Sequence, residues 1–539
     1  RLSRMAAIAT AGATAIGIAH GSDPWQLLES AHKASSTKRC KPRQELAAAM
    51  ATIRSSPAWA QRLGGGAALA CAWSCAAWLA VRRHRNKSNP APCRRVLRLI
   101  ARNGLPIDSE ASSDAEVIDV SQPITAACST AVSWQEAIDE VCRSVGTGFE
   151  AGMVFIAESH IRTSGSLRNF LEVLQPKLDA NTLVACVASG GIGNPVGLEA
   201  DEIGPVEVER GPFLSVSLLR KAGATPFFLG ANGGGDTELL KRKASEGGIK
   251  GMLLLADPFA PAEELLASLD ASFPSVPKVG GISAAVPLPG NQTAYQSSIA
   301  IASEGCDVRV LNQGIVGLML EDMEVHSIVC QGCLGVGPVI EVSSVSGPLC
   351  VALGGRRAQE AFMMIYKSVD PAVQAKMQQY LVAGLGRVDE KGIGDGDWLI
   401  RGIGGVDKTS GGLVVGPGLQ QGQPFRFHVR DKESALGDLE LMLNRYKLER
   451  AFMGNDLPPA GCLAFTCNGR GEALYERKHV DAEAALQALG GGADGDAPIA
   501  GFFCNGEIGS PGLAYPAEGK ELRQTAVHGF TAVFAILTP

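Results

Sequence analysis

The sequence predicts a mixed α/β (α+β) protein in which repeated strand–helix–strand–strand units form mixed sheets covered by helices. Two observations carry this. One arrangement recurs three times between residues 150 and 538, and each copy places small, Gly-containing turns at the end of its second strand. A third observation fits: 65 Gly and 29 Pro mark many turns between short elements, while 46% hydrophobic and 19% charged residues are a globular composition.

The first copy reads "MVFIAES" (153–159), "SLRNFLEVLQPKL" (166–178) and "LVACVASGGIGN" (183–194). The second reads "GMLLLADPF" (251–259), "AEELLASLDASF" (262–273) and "PKVGGISAAV" (277–286). The third reads "GCLAFTCNGRG" (461–471), "DAEAALQALGG" (481–491) and "PIAGFFCNGEIGSP" (498–511). A further strand follows each: "FLSVSLLR" (213–220), "IVGLML" (315–320) and "TAVFAIL" (531–537). Leu167, Phe170, Leu171 and Leu174 recur at helical spacing, so the first helix has one apolar side for a sheet face. The two strands flanking each helix are expected to pair in parallel through a right-handed crossover.

A different region, about 325–450, separates copies two and three. It holds "VCQGCLGVGPVIEV" (329–342), a helical pair near 356–384, "GDWLIRGIGGVD" (396–407), and a strand then helix over 423–447 with Asp431 as the expected N-cap.

Upstream lies a basic leader. Residues 1–100 contain 16 Lys and Arg against three acids, whereas the remainder has 33 basic and 52 acidic residues, giving −6 overall. That balance argues against a general nucleic-acid binder. "GGGAALACAWSCAAWLAV" (64–81), followed by "RRHRNK", is just long enough for a transmembrane helix, although half of it is Ala and Gly. The leader reads as a plastid-like targeting sequence, a membrane anchor, or a soluble Ala-rich helix. Residues 101–124 read as a polar linker. Fourteen Cys, several within apolar runs, form no disulfide framework and place the protein in an intracellular reducing compartment.

The chemistry-bearing residues cluster at strand ends, where α/β sheets tend to hold ligands. "VASGGIG", "GGISAAV" and "FCNGEIG" occupy equivalent places, which nominates Ser189, Gly190, Gly191, Ser283, Cys504, Asn505 and Glu507, with Asn468 at the neighbouring strand end. Cys504 and Glu507 alone make a poor nucleophile–base pair, because a carboxylate raises a thiol pKa. The bland reading puts Cys504 in the sheet core and Glu507 on turn N–H groups; His528 or His428 would be needed as a base. Cys330-Gln-Gly-Cys333 lacks the second ligand pair of a zinc site, and "FLGANGGGDTELLKRK" (228–243) lacks the P-loop Lys and has Asp236 as the expected N-cap. No cofactor and no metal are therefore expected. Arg401 is either a strand residue or a bidentate partner for a ligand carboxylate.

In this order, "MVFIAES", "VASGGIGNPVGLEADEIGP", "VCQGCLGVGP", "DWLIRGIGGVD", "FRFHVRD", "FTCNGRG", "GFFCNGEIG" and "VHGFTAVFAIL" resemble the FIST sensory family over residues 125–538. The resemblance implies a FIST N-like domain (125–325) and a FIST C-like domain (326–539). Gly190, Gly191 and Gly193 match the first signature. Gly332, Cys333, Arg401, His428, Arg430, Asp431, Cys467, Gly469, Gly501, Cys504, Gly506, Glu507, Gly509 and His528 match the second. The resemblance further implies a small-ligand partner, with amino acids suggested, and supplies no catalytic residues. The expected function is thus sensory ligand binding, probed at Ser189, Gly190, Gly191, Ser283, Arg401, Asn468, Cys504, Asn505, Glu507 and His528. The alternatives are a thiol enzyme using Cys504 or Cys467 with His528, and a scaffold tied to a membrane by its leader.

Overall fold

A computed structural model describes residues 122–539 apart from 198–203, 289–290, 306, 387–397, 417, 454–457, 491–496 and 517–520. The leader and its 64–81 segment lie outside the described residues. Among those described, no helix is long and apolar enough to cross a membrane.

Three units of one design make up most of this region. The first comprises β1 (Ile124–Ser129), α1 (Trp134–Val145), β2 (Phe149–Ala157), α2 (Leu167–Leu178), β3 (Ala180–Ala188), β4 (Gly191–Gly193), β5 (Val206–Val208) and β6 (Leu214–Leu219). The second comprises β7 (Ala224–Gly230), α3 (Thr237–Glu246), β8 (Gly251–Ala256), α4 (Ala262–Ser272), β9 (Lys278–Ile282), β10 (Ile299–Ser303) and β11 (Gly314–Leu320). The third runs from β12 (Glu324–Cys330) through α5 (Lys432–Met453), β13 (Gly461–Cys467), α6 (Glu472–Tyr475), α7 (Val480–Ala488), β14 (Ile499–Cys504), β15 (Glu507–Gly509) and β16 (Ala526–His528) to β17 (Ala532–Thr538).

Within each unit the strand order is the same: β3-β2-β6-β1, β9-β8-β11-β7 and β14-β13-β17-β12. The first pair is always parallel, spanned by the crossover helix, and the remaining pairs are antiparallel. The threefold repeat expected from the sequence is therefore the real plan of the fold. Each unit starts one strand and one helix before the motifs visible in the sequence, because β1 and α1, β7 and α3, and β12 and α5 precede them.

What no single unit shows is where its next hairpin goes. After β3 the chain leaves its sheet, and β4 pairs with β14 of the third unit, with β5 alongside. After β14 the chain leaves in turn, and β15 pairs with β9 of the second unit, with β16 alongside. After β9, β10 pairs with β3 of the first unit, with Asp307–Leu311 alongside. Each unit thus completes the open edge of another, in a closed cycle.

The inner faces of the three sheets share one core. Phe155 of β2 stacks on Phe502 of β14 at 5.0 Å, and Phe465 of β13 meets both rings edge-on at 6.3 and 5.7 Å. All three are fully buried, and each contributes about 1.5–3 kcal/mol from burial. Helices cover the outer faces. In α2, Ser166 accepts the Asn169 N–H at 3.1 Å as N-cap, and Leu167, Phe170, Leu171 and Leu174 are buried as their spacing implies. The β2 and β3 strands are consequently covered on both sides, which explains their nearly unbroken apolar runs.

Between β12 and α5, residues 333–430 form an inserted sheet of strands Cys333–Ser346, Leu349–Leu353, Leu381–Leu385, Leu399–Gly402 and Pro424–Arg430, with helices Ala358–Ser368 and Pro371–Tyr380. Asp431 caps the return into α5, accepting the Ser434 N–H at 2.9 Å. Asp236 stands before α3 but does not cap it: its carboxylate turns back to the Phe228 N–H at 2.8 Å, tying down the Gly-rich loop instead.

Candidate functional site

The cyclic hairpin exchange brings the carboxyl ends of β3, β9 and β14 to one place. Phe503 donates its N–H to Gly190 O at 2.9 Å, Asn505 to Ile282 O at 3.0 Å, and Ala284 to Val187 O at 2.9 Å. Each bond joins a different pair of units. Glycine is required where these segments cross: a Cβ on Gly190 would lie 2.6 Å from Val208 O, and one on Gly191 would lie 2.2 Å from the Phe213 ring.

Polar side chains form a crown over this junction. Asn505 donates through Nδ2 to Ser283 O at 2.8 Å and accepts from Asn468 Nδ2 at 2.8 Å, so one exposed amide links the second and third units. Beneath it, the buried Ser283 hydroxyl bonds to Ala256 O at 3.0 Å and shares a 2.7 Å bond with Ser298. Ser298 reaches Asp257 Oδ2 at 3.4 Å, and burial raises the Asp257 pKa. Ser189, exposed, follows β3 in the position that Ser283 and Asn505 take after β9 and β14.

Asp257 is not among the residues that the strand-end motifs nominate, although the repeat carries a signal for it. It is the first residue after β8, as Asn468 is after β13 and Glu158 after β2, so the repeat places a polar residue there three times. Phe259, half exposed, donates its N–H to Asp257 and packs on Tyr295 at 4.7 Å, leaving an aromatic pair at the surface beside the acid.

Arg430 lies beside Gly469, the residue that follows Asn468. A Cβ on Gly469 would lie 3.5 Å from its Nη1. Its guanidinium lies over the Tyr380 ring at 5.2 Å and has no carboxylate within ion-pair distance among the described residues.

The other sequence candidates lie below the crown as structural links. Arg401 donates to Val527 O at 2.6 Å and pairs with Glu263 at 2.5 Å, fastening the inserted sheet to β16 and α4. Its guanidinium is therefore engaged by the protein itself. Glu507 is fully buried opposite His528. Its Oε2 accepts the Thr531 N–H at 3.2 Å and hydroxyl at 2.7 Å, whereas Oε1 has no partner, and burial pushes its pKa up to about 8. His528 meets Gly509 O through Nε2 at 3.0 Å.

Cys504 is core: its Sγ points at Phe502 O, 3.5 Å away, and burial holds the thiol far above its ordinary pKa. Burial and the Glu507 carboxyl push Cys467 up to about 12, and burial pushes Cys333 up to about 12. These are protonated thiols, a poor basis for nucleophilic catalysis. Among the described residues no group of three or more His, Cys, Asp or Glu is placed to hold a metal ion.

The FIST N domain model matches residues 150–356 and the FIST C domain model matches residues 361–510. An uncharacterized protein of Mycobacterium tuberculosis is 30% identical over 371 residues, which is 68% of this chain and 86% of that relative. An uncharacterized protein of Mycobacterium bovis is 30% identical over 415 residues, covering 76% and 97%. An F-box/LRR-repeat protein of Arabidopsis thaliana is 27% identical over 126 residues, covering 23% and 22%.

Proposed function

We propose, on the premise that this chain belongs to the FIST family of sensory-domain proteins, that it binds a small carboxylate such as an amino acid at the crown of strand ends. One observation carries the reading. Asn505 holds the second and third units together through its amide and bonds to Asn468, and the next residue, Gly469, lies beside an Arg430 guanidinium that has no acidic partner among the described residues. A guanidinium fork matches a carboxylate, and this one lies over the Tyr380 ring. Asn468 and Asn505 offer amide groups for the rest of the ligand, and Asp257 and its serine partners stiffen the floor.

Binding suits this arrangement better than turnover, because the thiols nearby are protonated and buried. Ligand contact with residues of two units would bias how the units pack, which is a route from binding to signal. The test is isothermal titration of the full chain with amino acids and dicarboxylates, repeated with Arg430→Gln and Asn505→Ala. Binding that weakens about tenfold or more in Arg430→Gln supports the reading, since a charge-assisted bond contributes about 1.5–3 kcal/mol. Unchanged binding in both variants, or none to the native chain, rejects it.

A further inference from the structure

The hairpin that the first unit lends to the third also builds a cavity. Its volume is about 620 Å³, between β5, the end of β1 at Thr130, and the α6–α7 turn. Glu207, Glu209, Glu472, Arg210, Lys478 and His479 supply its charged and titratable lining, and Ala473 is its apolar member on the side that the Glu207 and Glu209 side chains face.

Glu207 is the unusual member. It is 7% exposed, and only Oε1 has a role, accepting the Ala482 N–H at the start of α7 at 2.8 Å. Its Oε2 is buried with no hydrogen-bond partner, a costly state for a carboxylate oxygen. Its own N–H donates to His479 Nδ1 at 2.8 Å, which fixes the proton of a neutral His479 on Nε2. Glu207 and, one residue past the strand, Glu209 lie two apart on one face, and Glu209 Oε1 already accepts the Glu472 N–H, which leaves its Oε2 for a ligand. The basic members differ in setting: Arg210 and Lys478 are exposed and solvated, whereas the acid is the buried group.

We propose that this cavity is a second ligand site, separate from the crown, that takes a small primary amine with its ammonium on Glu207 and Glu209 and its alkyl chain toward Ala473. The ammonium supplies the donor that Glu207 Oε2 lacks, and a short alkyl chain fits beside the Ala473 methyl group.

The site is linked to protons. Burial first, and then the Asp481 carboxylate on α7, push Glu207 up to about 8; Glu209 adds to this, while the Ala482 and Asp481 N–H groups oppose it. The other charges around it are Glu472 on α6, Lys478 and His479 in the turn, Arg210 after β5, and Arg470, which is paired with Asp481. Below about pH 8 Glu207 is protonated, so each ammonium bound displaces one proton. Affinity therefore rises about tenfold per pH unit toward that value and levels above it.

The experiment is calorimetry of the full chain with 1-butylamine and 1,4-diaminobutane, in two buffers of different ionisation enthalpy, at pH 6, 7 and 8.5. Butanol and butyrate serve as controls. The expected result is amine binding with release of about one proton at pH 6, weakened about tenfold or more by Glu207→Gln and three- to tenfold by Glu209→Gln. Arg430→Gln should leave it within about twofold, which separates this site from the crown. Glu207→Gln keeps the oxygen that caps α7; should it fail to fold, Glu209→Gln decides. Amine binding no tighter than butanol, tighter binding of butyrate, pH-independent binding, or indifference to the Glu variants would each overturn the proposal.

Discussion

Arg470 and Asp481 form a two-pronged ion pair with no solvent access, Nε to Oδ2 at 2.9 Å and Nη2 to Oδ1 at 3.0 Å. Tyr475 OH adds a bond to Asp481 Oδ1 at 3.2 Å. The pair ties the glycine turn after β13 to α7, between the crown and the Glu207 cavity. Removing one partner strands a buried charge, so Asp481→Ala should cost about 3–5 kcal/mol in urea unfolding. Arg470→Met with Asp481→Leu should cost clearly less than either single removal, because no charge is left stranded.

Stability should fall as pH rises from about 5 to about 8. Glu507 has a folded value of about 8 against an ordinary 4.5, so between those values the folded chain holds a proton that the unfolded chain has lost. Its contribution is complete at low pH and is lost as pH rises toward about 8, at a slope of at most about 1.4 kcal/mol per unit. Glu207 acts in the same direction. Urea midpoints at pH 5.5 and 7.5 measure this, and Glu507→Gln, which keeps an acceptor for Thr531, should flatten the trend. A steeper trend in that variant would falsify the assignment.

The contact between the second and third units is tight enough to be read by a single methyl group. A Cβ on Gly281 of β9 would lie 2.3 Å from Cys504 Sγ and 2.9 Å from Phe502 Cζ. Gly281→Ala should therefore destabilise by about 1–3 kcal/mol. Adding Cys504→Ala removes the closest atom, and the double variant should recover part of the loss. A double-mutant cycle with no coupling would show that the two strands adjust independently.

Thiol labelling offers a fourth test. Cys504, Cys186, Cys330 and Cys462 are buried and held protonated, so iodoacetamide at pH 8 should modify them only after unfolding. Peptide mass spectrometry of native and urea-treated protein checks this. Rapid native labelling of Cys504 would restore it as a reactive residue.

Much of this plan was legible because local patterns repeat. The strand ends at Ser189, Ser283 and Asn505 are recognisable from their equivalent places alone. The partners of those ends are not legible, since β4–β14, β9–β15 and β3–β10 are contacts across about 110 to 310 residues that no local periodicity encodes. For the same reason Arg401 reads equally well as a ligand group until Glu263, 138 residues away, is seen beside it. Glu207 escaped notice because an acid in "VEVER" alternates like any surface-facing strand residue, while here both faces of its short strand are occupied.

The hairpin cycle has a consequence for how the chain reaches its native state. A unit can assemble its four strands locally, yet each keeps one unsatisfied edge until another unit supplies a hairpin, and the last unit to emerge completes the first two links. Folding should therefore be slow and finish in one late cooperative step, as high contact order implies. Cutting the chain between its two halves would leave bare strand edges on both products, which invites aggregation rather than two tidy modules.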